Sequence, residues 1–198
     1  MRAMRYCTPM ILLLLVLGGC GGNGKNSEEA QALEIRTDYL AMSACSGTAE
    51  IRADYGQRVY DYTIDFTWQK EGDMVLTITQ PLELTGVTAT LHEGETLLQF
   101  EDVRLETGPI SSEGLSPVDS LPALLEYIRS GNITQCGSEP IDAVKALRIQ
   151  CGDPEAAMGS GTEAVLWFDQ ETHALLQGEL RSDGFTVIQC TFTAFTKE

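Results

Sequence analysis

Cysteines, histidines and carboxylates are the groups in this 198-residue sequence that could do chemistry: six Cys, two His and 29 acidic residues. Cys45, Cys136, Cys151 and Cys190 are scattered, with no CxxC pair, and His92 and His173 are remote from one another, so no metal site with zinc-like spacing is expected. In an oxidising compartment an even set of thiols makes disulfides, here with three possible connectivities; the alternative is buried thiols. Strand parity puts Cys45 with Ala49, Ile51 and Ala53, and Cys190 with Ile188 and Phe192, both on apolar sides, while Cys151 aligns with Leu147 and Ile149. Parity therefore favours Cys45 with Cys190 and Cys136 with Cys151. Nucleophilic hydrolysis needs a Ser or Cys beside a proton-accepting His. Both histidines fall in turn-like stretches (LHEGE and DQETHA), where an exposed imidazole is the ordinary outcome, and His92-Glu93 cannot open an HExxH helix because Gly94 follows. Asp61 and Asp65 could pair as acid and base, but they lie on the wet side of an alternating strand. No catalytic residue, cofactor or metal is expected.

Cys20 is a different case. Arg2 and Arg5 precede the apolar run Met10 to Leu17, which is too short for the about 20 residues that a spanning helix needs and has the shape of a secretory signal peptide. Leu17-Gly18-Gly19-Cys20 resembles the lipobox of bacterial lipoproteins. That resemblance implies cleavage after residue 19, a lipid on Cys20, and anchoring at an extracytoplasmic membrane face. The face would be the outer side of the plasma membrane in a Gram-positive host, or the periplasm or outer membrane in a Gram-negative one. GGNGKN, residues 21–26, reads as a flexible tether, so the expected division is 1–19 signal peptide, 20–26 lipidated cysteine and tether, and 27–198 a single domain.

The formal charge of −16, with 29 acids against 13 Lys and Arg, becomes two units more negative once Arg2 and Arg5 leave with the signal. Such a surface argues against nucleic acid and against adhesion to anionic head groups, leaving the membrane contact to the lipid.

The elements that must position any site are read from periodicity. Ser27, Glu28 and Glu29 look like a capped helix start, followed by Ala32, Ile35, Tyr39 and Met42 at helical spacing, with Leu33 and Leu40 beside them. From Cys45 the period becomes two. Tyr60, Tyr62, Ile64, Phe66 and Trp68 alternate with polar residues over 59–69, and Met74, Leu76 and Ile78 follow after the turn Glu71-Gly72-Asp73. Further strands are expected over 83–91, 95–100 and 102–106. A loop follows (GPISSEGLSP, 108–117), then a helix over 120–129 capped by Ser120 and stopped by Gly131, and strands near 146–151, 162–169, 174–181 and 184–195. This order is α+β: a strongly curved antiparallel sheet, an unclosed half-barrel, with helices packed in or across its concave face. Tyr60, Tyr62, Ile64, Phe66, Trp68, Leu76 and Ile78 share one face. They are either plain core or the wall of a ligand cavity.

With these elements in place the chain resembles the LolA-like superfamily, which includes periplasmic lipoprotein carriers, the regulator RseB and several Gram-positive lipoproteins. The likeness runs from about 29 to 196 and rests on the first helix, YTIDFTWQKEGDMVLTITQP, LHEGETLLQFED, LPALLEYI and AVLWFDQETHALLQGEL. The resemblance implies a half-barrel that encloses a hydrophobic ligand such as a lipid or acyl chain, without catalysis. Lipidated relatives that partner envelope enzymes imply an alternative, a regulatory protein binding another envelope protein, for example a spore-germination or cell-wall enzyme, through its rim or sheet edge. No residue motif carries a binding role across. A lipidated chain departs from the soluble carriers, because a tethered protein cannot shuttle freely.

Overall fold

The computed structural model describes residues 23–198 except 109, 112, 113, 154 and 156–159. The expected signal peptide (1–19) and Cys20 lie outside the described residues. Helix α1 (Asn23–Ala41) leads into β1 (Ala44–Asp54), β2 (Val59–Gln69) and β3 (Met74–Gln80). A short 3-10 turn (Leu82–Leu84) precedes β4 (Thr88–His92), β5 (Glu95–Phe100) and β6 (Val103–Thr107). After α2 (Pro117–Ser130) come β7 (Asn132–Ile141), β8 (Val144–Gly152), β9 (Thr162–Asp169), β10 (Leu175–Ser182) and β11 (Phe185–Lys197).

All eleven strands join one antiparallel sheet in the order β6-β5-β4-β3-β2-β1-β11-β10-β9-β8-β7, so the first and last strands meet at its centre and β6 and β7 are free edges. The expected α+β class with an open curved sheet is what the chain forms. β2 occupies the whole alternating stretch 59–69, its inner residues Ile64 and Phe66 buried and its outer Asp61 and Asp65 exposed. β7 had no counterpart in the sequence reading: Gly137 and Pro140 weaken its pattern, and its place at an edge tolerates a residue that cannot donate to a ladder.

Both helix starts differ from expectation. α1 begins at Asn23, a turn before Ser27, because docking of its apolar stripe outweighs the cost of about 1 kcal/mol that Gly24 brings to a helix. α2 is capped by Ser116, which accepts from the Asp119 amide at 3.1 Å, with Pro117 in its first turn; Ser120 sits inside the helix and is buried.

The two helices cover the β1-β11-β10-β9-β8 half of the inner face. Ala32, Ile35, Tyr39 and Met42 are buried as the stripe predicts, whereas Leu33 and Leu40 face outward. Arg36 ties the helices together, donating from Nε to Ile128 O at 2.8 Å and from Nη2 to Gly131 O. The β9–β10 turn clamps α1 from the other side. His173 Nδ1 meets Asp38 Oδ2 at 2.7 Å, Lys197 Nζ reaches the same carboxylate at 3.1 Å, and Tyr39 Oη donates to His173 O at 3.1 Å. His173 is thus mostly buried, not an exposed turn histidine, with 12% of its side chain accessible.

This clamp predicts an acid limit. The His173 hydrogen bond first, and Lys197 second, hold the Asp38 carboxyl below its ordinary range; Asp169 is held down mainly by the Thr172 amide and also by that of Glu171. A carboxyl depressed by folding stabilises the fold above its unfolded pKa of about 3.9 and loses that contribution as pH falls through the folded value. Thermal unfolding should show Tm falling steeply below about pH 4, and Asp38→Asn should flatten that fall.

Candidate functional site

Helix α2 sinks onto one half of the sheet and stands off the other. On the inner face of β10 the residue beneath it is Gly178. A Cβ on Gly178 would lie 2.6 Å from Leu124 Cδ1, so helix and strand touch there. Over the arm made by β2 to β5 the inner residues are large. Register sets Trp68 opposite Met74, Met74 opposite Leu91, and Leu91 opposite Thr96, one transverse row at the hairpin end of the arm. Between this row and the α2 residues Asp119 and Pro122 lies a groove of about 280 Å³, closed at its mouth by Gly72 and the turn His92 to Glu95. That volume is near the lower end for small-molecule sites, about 300–1,000 Å³, and admits one slender chain.

The seven cavity candidates share the inner face but do not line one cavity. Ile64, Phe66 and Leu76 are buried in the core, with Phe66 against Phe192 and Phe195 at ring distances of 5.9 and 6.2 Å. Tyr62 and Ile78 are half-buried against that core, and Tyr60 is 39% exposed. Trp68 alone of the seven lines the groove. At the other end of β2, Tyr55, Tyr60 and Tyr62 form a ladder with ring distances of 6.2 and 6.5 Å, its tip fixed by Tyr55 Oη donating to Leu115 O at 3.0 Å. Burial pushes the Tyr55 and Tyr62 hydroxyls up from the ordinary phenol value, with the neighbouring tyrosines adding to the shift. Between groove and sheet edge the inner face continues through Leu98, Phe100, Val103 and Leu105, the last two 69% and 56% exposed.

Residues that the sequence reading left out complete the groove: Met74, Leu91, Thr96, Asp119 and Pro122; Arg129, about two turns further along α2, does not line it but stands over its wall residue Trp68. Val118, Pro122, Leu125 and Arg129 recur at helical spacing, and a base ending an apolar stripe was the available signal. The Arg129 guanidinium stands 5.1 Å from the Trp68 ring centre. Its Nε is buried and has no hydrogen-bond partner among the described residues. Leaving a donor buried without an acceptor costs about 1–3 kcal/mol, more when charged. Asp119, by contrast, has partners: its Oδ2 accepts from the Ser111 amide at 2.7 Å and from Ser116 Oγ at 2.6 Å.

A larger depression of about 490 Å³ lies on the outer face, but its walls are polar and its charges Arg52 and Asp61 already pair at 3.2 Å. Trp167 also faces outward, under Arg148 at 5.8 Å, and contributes nothing to the inner face.

The cysteine reading needs correction. Among the described residues no disulfide is present. Cys45 lies opposite Lys197 and Cys190 opposite Ile51, six residues further along β1 and about 20 Å away at strand spacing, so Cys45 and Cys190 cannot be joined. Cys136, opposite Ile149, and Cys151 share a face of the β7–β8 hairpin as diagonal neighbours. Burial pushes the Cys45, Cys151 and Cys190 thiols up to about 12, 11 and 12, which leaves them unreactive. His92, unlike His173, is exposed as expected, at the β4–β5 turn, and is bound to Asp73 at 2.6 Å. No group of three or more potential metal ligands occurs among the described residues.

No protein-family model and no curated protein matches this chain. Its structure is nevertheless similar to an uncharacterized conserved protein from Thermus thermophilus, with TM-score 0.53, 8% identity, and 86% of this chain against 87% of that one. It is also similar to MucB, at TM-score 0.51 and 12% identity over 86% of this chain and 58% of that one. A LolA superfamily protein from Nitrosomonas europaea matches at TM-score 0.45 and 13% identity, with 88% and 94% covered. At these identities the likeness is one of fold, shared with the Thermus protein and with MucB.

Proposed function

We propose that this chain is a non-catalytic binder of a hydrophobic ligand, a lipid or acyl chain, held at the extracytoplasmic face of a bacterial cell envelope by a lipid on Cys20. The observation that carries the reading is the groove between α2 and the β2–β5 arm, continuous with apolar inner face that no helix covers. No described helix is long and apolar enough to cross a membrane. Gly21 and Gly22 separate Cys20 from α1, so acylation would hold the start of that helix within about 11 Å of the attachment point. The lipoprotein and signal-peptide reading rests on the lipobox resemblance.

Trp68 supplies the test. In a Trp167→Phe background it is the sole tryptophan, and an acyl chain entering the groove should blue-shift and strengthen its emission. Leu91→Asp puts a charge on the groove wall and should weaken binding at least about tenfold, since burying an uncompensated polar group costs about 1–3 kcal/mol. An unchanged spectrum at saturating chain concentration would contradict the reading.

A second reading is favoured by β6. It is a free edge whose Val103 and Leu105 are exposed, and such an edge can pair with a strand of another envelope protein. Val103→Lys, a charge on that edge, should then weaken partner capture in pull-downs from envelopes.

A further inference from the structure

Building on the reading of the groove as a site for an apolar chain, we propose that Arg129 is its head-group anchor: the ligand is a single-chain amphiphile ending in a carboxylate, its tail in the groove and its oxygens on the Arg129 guanidinium. Four other arginines of the described chain have acceptors. Arg36 binds two carbonyls, Arg52 pairs with Asp61, Arg148 with Gln150, and Arg181 with Glu179. Arg129 stands in no ion pair among the described residues, in a sequence with 29 acids and 13 bases. Its contact is the ring of Trp68, which attracts the charge but takes no N–H···O bond, and its Nε is buried without an acceptor.

The acidic residues that line the groove are Glu93, Glu95 and Asp119, and none of them pairs with this cation. Asp119 Oδ2 accepts from Ser111 and Ser116. Glu95 and His92 stand at the rim, where they alternate with the inner-facing Thr96 and Leu91, and His92 meets Asp73. A guanidinium presents a planar fork of donors that a carboxylate fits at two points, which a lone ammonium would not provide. The volume of about 280 Å³ restricts the tail to one chain.

The test uses the full-length chain in membranes of its expression host. Hexadecanoic acid and hexadecanol, each with the same mid-chain diazirine, are photo-crosslinked and the adducts mapped by peptide mass spectrometry. Wild type should label at Trp68, Met74 and Leu91 about tenfold more with the acid than with the alcohol, the discrimination one charge-assisted hydrogen bond supplies. Arg129→Gln should bring the acid down to the alcohol's yield while leaving the alcohol unchanged, and Arg129→Lys should recover part of the difference. Equal yields of acid and alcohol in wild type would overturn the head-group assignment and leave the groove reading standing; this ratio needs no variant. An acid preference that survives in Arg129→Gln would also overturn it. No groove adduct from either probe would instead overturn the reading beneath it.

Discussion

Tyr39→Ala is expected to lower the unfolding free energy by about 3–5 kcal/mol, the range for deleting a buried aromatic ring. Tyr39 is 0% exposed and joins α1 to β9 and β11. Its ring lies edge-on to Phe168 at 5.2 Å and stacks on Phe195 at 6.1 Å, under Lys197 at 5.3 Å. Without it α1 has no large side chain in the space between β9 and β11, and that space is flanked by rigid strands that cannot collapse to fill it. Chemical denaturation should show the loss as a shifted midpoint. Tyr39→Phe separates the parts: it removes only the hydroxyl bond to His173 O and should cost about 0.5–1.5 kcal/mol. Equal losses in the two variants would mean that the hydroxyl, not the ring, holds the helix.

Gly47→Val is expected to cost about 3 kcal/mol or more, at the upper end of what overpacking produces. Gly47 lies in the central strand β1 opposite Phe66 on β2 and Phe195 on β11. A Cβ there would lie 2.1 Å from Ala194 O and 3.1 Å from Phe66 Cε1, and the first of these is backbone that cannot rotate away. The ladder is irregular just beyond, at Thr48 and Ala49, so relief of the clash would unpair the strands that close the sheet. The denaturation midpoint of the variant, followed by circular dichroism, should fall well below that of wild type. Gly137→Ala, with nothing within 4 Å of the added carbon, is the matched control and should change stability by no more than about 0.5 kcal/mol. A Gly47→Val protein as stable as wild type would show that β11 can move away from β1.

Local patterns were legible and long-range height was not. The alternation of 59–69 defined β2 because its polar residues and its apolar ones fall on opposite faces, and the stripe Ala32, Ile35, Tyr39 and Met42 defined the buried side of α1. Parity correctly put Cys45 and Cys190 on the inner face, yet parity says nothing of position along a strand. That position is set by the pairing of β1 with β11, over a hundred residues away in sequence and shifted by the irregularity at Thr48, and it separates the two thiols. The same limit applies to the ligand candidates. Tyr60, Tyr62, Ile64, Phe66, Trp68, Leu76 and Ile78 do share a face, but whether a residue on that face meets helix, core or groove depends on where α2 crosses. That crossing is close to the sheet where Gly178, on a distant strand, leaves room for Leu124. Arg129 was hidden for a similar reason: a base at the last turn of a helix is ordinary, favoured by the dipole, and becomes unusual only when its Nε is seen buried above Trp68.

Whether the inner groove carries an apolar chain is decided most directly by native mass spectrometry of the protein extracted from its own host's envelope. The expected spectrum shows the protein with a bound single-chain species, released on activation and identified as a long-chain acid, and the Leu91→Asp protein carries none. A wild-type protein that repeatedly returns at its unliganded mass under conditions that preserve the fold would contradict the account.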